Sequence, residues 1–169
     1  MLLFPDAQAM RIARAESRDD RRYRHGVAIL EAKHWMRPLD RGDVAQATDP
    51  GAPSSQMLRY LGRAEVVSDR AVKWGLLTNG GLWRLYFQDA RSRAEEFFEI
   101  DLALALGVPG VQGELDGIEP DQVLRLFFLL FRREAFLRNV QLFGQIDGRK
   151  LWHQEQVAQK IVLFLCGHL

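Results

Sequence analysis

Residues 26–35 read GVAILEAKHW, and the fold turns on how this stretch is taken. Val27, Ala28, Ile29 and Leu30 form an apolar run opened by a glycine, the pattern of a buried strand. Glu31 and Lys33 follow at once. In a strand, side chains two apart share a face, so both charges would stand together at the strand's end. The string EAK by itself suits a helix interior or a solvated surface equally well, because Glu, Ala and Lys are all good helix formers. The apolar lead-in, and the lack of a helix cap before Val27, favour a strand from Val27 to Trp35 that presents a carboxylate and an amine.

Working outward, MLLFPDAQAMRI suggests a first strand from Leu2 to Ile12, with Phe4, Asp6, Gln8 and Met10 on one side. Pro5 fits a strand start or a bulge. The charge-dense ARAESRDDRRYRHG that follows reads as an exposed connection ending at Gly26. The two strands are predicted to pair antiparallel, which would let Asp6 converge on Glu31 and Lys33. Two carboxylates offer the hard oxygens that Mg²⁺ takes while keeping several waters, and a lysine beside them can orient an attacking water. Such a trio suits hydrolysis of a phosphodiester.

Downstream, MRPLDRGDVAQATDPGAPS reads as a loop to about Pro53, long enough to suspect a function. Pro53 with Ser54 or Ser55 then signals a helix whose apolar stripe is Met57, Leu58, Leu61 and Ala64. Gln56 and Tyr60, four apart, fall on one face of it, with Arg59 beside them. That face can be a solubilising surface, or it can reach a nucleic-acid backbone or support a metal site. VKWGLLTNGGLWRLYFQD is predicted to be a hairpin turning at Asn79 and Gly80, with Trp74, Trp83, Leu85 and Tyr86 as core and Arg84 facing solvent. AEEFFEIDL suggests one more strand. A helix is expected from Pro120 through DQVLRLFFLLFRREAFLRNV, with Asp121 near its start, and a last amphipathic helix over about Leu151–Leu165.

Composition narrows the classes. The chain has 169 residues and 47% apolar content, enough for one domain with a real core. Lys and Arg number 23 against 22 Asp and Glu, so any polyanionic partner must be held by a local patch rather than by overall charge. A lone Cys166 excludes an internal disulfide and points to reducing cytoplasm. The run VLRLFFLLF is too short to span a bilayer. His25, His34, His153 and His168 lack zinc-site spacing, although His34 directly follows Lys33 and could stand at the rim of a site. Neither a phosphate-binding glycine loop nor a GxSxG elbow is present.

Taken in order, FPD, VAILEAKHW, PSSQMLRYL and VKWGLLTNGGLWRLYF resemble the N-terminal nuclease domain of type IIG, Eco57I-like restriction and modification enzymes. That nuclease belongs to the PD-(D/E)XK superfamily, and Gln56 with Tyr60 resembles the QxxxY motif of its RecB-like branch. The resemblance implies a restriction-endonuclease-like α/β (α+β) core, with a mixed central sheet flanked by helices, over residues 1–105. Residues 106–169 would be a helical C-terminal segment. It further implies a DNA endonuclease in which Asp6, Glu31 and the Ala32 carbonyl hold Mg²⁺, or Mn²⁺, and Lys33 assists the attacking water. Gln56, Tyr60 and Arg59 would support the site or bind double-stranded DNA. Methyltransferase and specificity domains or subunits would be partners, and a homodimer is conceivable through the LRLFFLLF face. Superfamily nucleases usually begin with a helix and a strand ahead of the PD strand. A chain that opens inside a strand is therefore expected to be a piece of such an enzyme or a solo relative. A catalytically inactive domain that binds DNA or a partner subunit is the alternative.

Overall fold

In the computed structural model, residues 1–42, 50–115 and 117–137 are described. They form a five-stranded mixed sheet flanked by helices, with strands in chain order β1-β2-β3-β4-β5. Strand β1 is Leu2–Leu3 and β2 is Ala28–Ala32, and the two are antiparallel. Strand β3, Trp74–Thr78, runs parallel to β2. Strands β4, Leu82–Phe87, and β5, Phe97–Asp101, continue antiparallel.

The parallel step from β2 to β3 requires a crossover, and helix α3, Pro53–Val67, lies in it. Pro53 occupies the helix start, where its missing N–H costs nothing, one residue before the serines that signalled the helix. Met57, Leu61 and Ala64 of α3 are fully buried against Ile29, Leu77 and Tyr86. Gly75 permits this approach: a Cβ there would stand 2.7 Å from the Met57 sulfur and 3.0 Å from a Leu61 methyl. The opposite face of the sheet, with Ala28, Leu76, Leu85, Phe98 and Ile100, is covered by helix α5, Pro120–Phe131. Trp83 meets Phe127 and Phe131 edge-on at 5.2 and 5.5 Å, so the tryptophan packs the sheet to α5 as its strand position suggested.

The expected hairpin is present. Gly80 takes φ +89° at the turn, and the Asn79 side-chain oxygen accepts from the backbone N–H of Gly81 and of Leu82. The short helix α4, Leu102–Ala105, follows β5 directly, with Asp101 capping it through the Leu104 N–H.

The start of the chain departs from expectation. Only Leu2 and Leu3 are strand. Residues 7–15 form helix α1, Ala7–Ala15, and residues 19–23 form helix α2, Asp19–Tyr23. The cause is local: Asp6 sits in extended conformation and its carboxylate accepts the Ala9 N–H at 2.7 Å, a helix N-cap. The segment behind it is rich in Ala and Arg, and its apolar residues Ala9, Met10 and Ala13 recur at helical rather than alternating spacing. Strand β2 is also shorter than predicted, ending at Ala32, because the chain turns through Met36 at φ +57°. The predicted helix over about Leu151–Leu165, and Cys166, lie outside the described residues. No helix among the described residues is long and apolar enough to cross a membrane.

Candidate active site

Register places the charges of β2. Ile29 and Glu31 point to the face that α3 covers, whereas Ala28 and Leu30 point to the face that α5 covers. Lys33 continues beyond the strand, its backbone N–H donating to Thr78 O at 2.8 Å, so the parallel neighbour fixes its position. Its side chain is only 7% exposed. The Nζ donates to Glu31 Oε1 at 2.7 Å and to Gln56 Oε1 at 2.5 Å. Gln56 in turn donates from Nε2 to the Tyr60 hydroxyl at 3.0 Å, one turn further along α3. Residues separated by 23 positions in sequence thus form one connected row from a partly buried carboxylate to an exposed phenol. The sequence spacing of Glu31 with Lys33, and of Gln56 with Tyr60, gave two separate pairs; the crossover joins them.

The chemistry of this row is directional. Lys33 is the donor to both oxygens, which fixes the Gln56 amide with its nitrogen toward Tyr60. Tyr60 accepts in that bond, so its own O–H proton remains for another acceptor. Glu31 meets Lys33 through Oε1, and its side chain is 20% exposed. A buried ammonium that donates to a carboxylate and to an amide can position a proton, provided that a substrate reaches it from the Tyr60 side.

Asp6 does not join the cluster. Leu3 stands opposite Ala28 and Leu2 opposite Ile29, so each residue beyond Leu3 leads away from the Glu31 end of β2. The exposed Asp6 caps α1 instead, beside a surface recess lined by Leu3, Phe4, Met10 and Arg133, whose Nε donates to Pro5 O. The antiparallel pairing predicted from sequence is present, but its register puts the two carboxylates at opposite ends. Among the described residues, no group of three His, Cys, Asp or Glu side chains could hold a metal ion. Ala32 is the exposed last residue of β2. Arg59 is exposed on α3 next to Tyr60, and no side-chain partner is present among the described residues. His34 is exposed, its Nδ1 3.2 Å from Trp35 O, and lies beside Lys33 without reaching Glu31 or Gln56.

Arg84 corrects another expectation. Its side chain is 6% exposed rather than solvated. It forms a two-point pair with Asp40 at 2.6 and 2.7 Å, a further bond to Glu99, and lies over the Phe97 ring. Burial pulls against the Arg84 charge, but the Asp40 and Glu99 carboxylates outweigh it and hold the guanidinium above its ordinary range. In return the Arg84 hydrogen bond holds Asp40 below the usual carboxylate range. Period-two alternation was sound here. What sequence could not supply is that the second sheet face is covered too, by α3 and by the segment that carries Leu39 and Asp40.

That segment is tied down at several points. Met36 N–H donates to Asn79 O, the Asn79 side-chain nitrogen donates to Arg37 O at 2.8 Å, and Ser54 N–H donates to Leu39 O at 2.9 Å. The loop after Lys33 is therefore held against the β3–β4 turn and the start of α3, and the Lys33 side chain is buried between them. No family model, curated protein or solved structure matches the chain.

Proposed function

We propose that this chain is the nuclease core of a restriction-modification enzyme, a Mg²⁺-dependent DNA endonuclease of the PD-(D/E)XK kind with a QxxxY helix. The observation that carries this reading is the row Glu31–Lys33–Gln56–Tyr60, because the two motifs of the resemblance meet through the side chains it singles out. The mixed sheet, with α3 bridging two parallel strands directly behind the Glu31–Lys33 strand, supports the same reading.

Hard oxygen donors at the end of β2 fit Mg²⁺, which binds through one or two carboxylates and completes its shell with waters and substrate phosphate. Glu31 and the Ala32 carbonyl would hold it; Asp6, at the far end of β2, would not. A bound Mg²⁺ supplies polarisation of the phosphoryl oxygen and a more acidic water. Lys33, held beside Glu31, would orient the attacking water. Gln56 keeps the amine aimed, while Tyr60 and Arg59 meet the phosphate backbone from α3.

A second reading, a nuclease-like domain that binds DNA or a partner subunit without cutting, is favoured by one observation: among the described residues, no group of three His, Cys, Asp or Glu side chains could hold a metal ion, and Asp6 lies at the far end of β2 from Glu31. Nicking of supercoiled plasmid in Mg²⁺ or Mn²⁺, by wild type and by Lys33→Ala, separates them. Cleavage that collapses in the variant supports the endonuclease. Equal cleavage removes Lys33 from the reaction, and salt-sensitive DNA retention without cleavage selects the second reading.

A further inference from the structure

We infer that helices α1, α2 and α3 together form a docking surface for the phosphate backbone of double-stranded DNA, built from Arg11, Arg14, Arg21, Arg24, Arg59 and Arg63. This deepens the nuclease reading and rests on it for the identity of the polyanion.

The argument starts from pairing rather than exposure. Several other arginines are engaged by carboxylates: Arg91 with Glu96 at 3.3 Å, Arg125 with Asp121 at 2.7 Å, Arg93 with Glu65 at 2.8 Å, and Arg70 with Asp89. The six named above are exposed and, among the described residues, none has an ion-pair or side-chain hydrogen-bond partner. Three nearby acids are committed elsewhere. Asp20 is held by Arg18 at 2.8 Å, Glu16 lies 3.5 Å from His25, and Glu65 takes both Arg93 and Arg70. A chain with a net charge of only +1 thus concentrates unneutralised charge on one set of helices.

Placement makes the six a surface. Helix α2 lies against both α1 and α3, and its Tyr23 packs into the core beneath α3, which leaves Arg21 and Arg24 outward. Arg11 and Arg14 are one turn apart on α1, and Arg59 and Arg63 one turn apart on α3. With neighbouring helices roughly 10 Å apart, the three span about 20 Å. That is the length of about six phosphates along one strand of duplex. Arg59 adjoins Tyr60, so the surface runs directly into the Lys33 cluster. Guanidinium is the cation suited to phosphate, forming paired hydrogen bonds to its oxygens.

The test uses the full chain, a labelled duplex of mixed sequence, and fluorescence anisotropy in EDTA across a salt series. Arg21→Ala/Arg24→Ala is compared with Arg91→Ala/Arg125→Ala, an equal loss of charge from paired arginines. The first pair is expected to weaken binding at least about 10-fold and to flatten the salt slope by about 2, since each lost phosphate contact removes about 0.9. The control is expected to stay within about twofold of wild type, as surface substitutions outside the contact do. Equal losses in both pairs, an unchanged slope in the first, or tighter binding of polyglutamate than of duplex would each overturn the proposal. Binding measured without metal keeps the two readings apart. A flattened slope with no plasmid nicking leaves this surface standing and removes the endonuclease, and intact nicking with an unchanged slope does the reverse.

Discussion

Two buried cations meet one cross-strand row of the sheet with opposite fates: Arg84 belongs to it, and Lys33, beyond the end of β2, reaches it through Glu31. Register aligns Glu31 with Leu77, Leu77 with Arg84, and Arg84 with Glu99. The fully buried Leu77 separates a Lys33 cluster at one end from an Arg84 cluster at the other, about 10 Å away at two strand spacings. Arg84 is saturated by carboxylates on two sides and an aromatic ring beneath. Lys33 donates to the Glu31 carboxylate and to the neutral Gln56 amide, and from that amide the row runs on to a 37% exposed tyrosine. Burial of charge therefore does not by itself mark a site. The closed cluster locks the loop at Asp40 onto the sheet; the open one leads outward to where a substrate can arrive.

This contrast can be broken experimentally. The largest effect is expected at Lys33: Lys33→Met should lower plasmid nicking by at least about 100-fold, the usual scale of a positioned proton-transfer group. Its stability to urea should also fall, by about 3 kcal/mol, because Glu31 is left without its partner, so nicking is read per folded molecule. Nicking per folded molecule that falls no further than in the Arg84 variant would erase the distinction. Arg84→Met should cost about 3 kcal/mol in urea unfolding, since it leaves Glu99 and Asp40 without their partner in a cluster that is closed to water on the arginine side. Nicking per folded molecule should fall far less than in the Lys33 variant.

Asn79→Ala probes the link between the clusters, for Asn79 holds both the β3–β4 turn and the Arg37 carbonyl on the loop from Lys33 to Asp40. It should destabilise by about 2 kcal/mol, the cost of buried backbone groups left unpaired, and lower nicking and stability together. Circular dichroism melts beside nicking rates check this. The smallest effect concerns pH. Arg84 depresses the Asp40 carboxyl, so the stability it contributes is present above the unfolded value, near 3.8, and is lost as pH falls through the lower folded value. The Asp40 side chain is 62% exposed, so solvent screening should limit its share to about 0.5 kcal/mol. Acid titration of wild type against Asp40→Asn measures it, and a larger gap would mean that the Arg84 cluster is more closed than its geometry indicates.

Much of this was legible because it depends on short-range pattern. The apolar run into Glu31, the Asn79–Gly80 turn, the stripe of α3 and the Pro120 helix start each carry their own periodicity or turn chemistry. The first strand was misjudged for a reason equally local. Asp6 followed by alanines satisfies a helix N-cap, and an alternation that mixes Phe4, Asp6, Gln8 and Met10 on one side offers no clean apolar face to hold a strand. The core at Trp74, Leu85 and Tyr86 followed from their apolar character, but the fate of Arg84, on the same face as Tyr86, did not, since alternation names a face without saying what covers it.

By itself the sequence determined which residues could carry chemistry and which elements bear them, because strand and helix periods are properties of neighbouring residues. Only the tertiary structure decided the company they keep. The parallel crossover brought Gln56 and Tyr60 to Lys33, while the register of a two-residue strand carried Asp6 away from Glu31. Such outcomes depend on which side chains meet across strands and layers, and a local pattern does not encode that meeting.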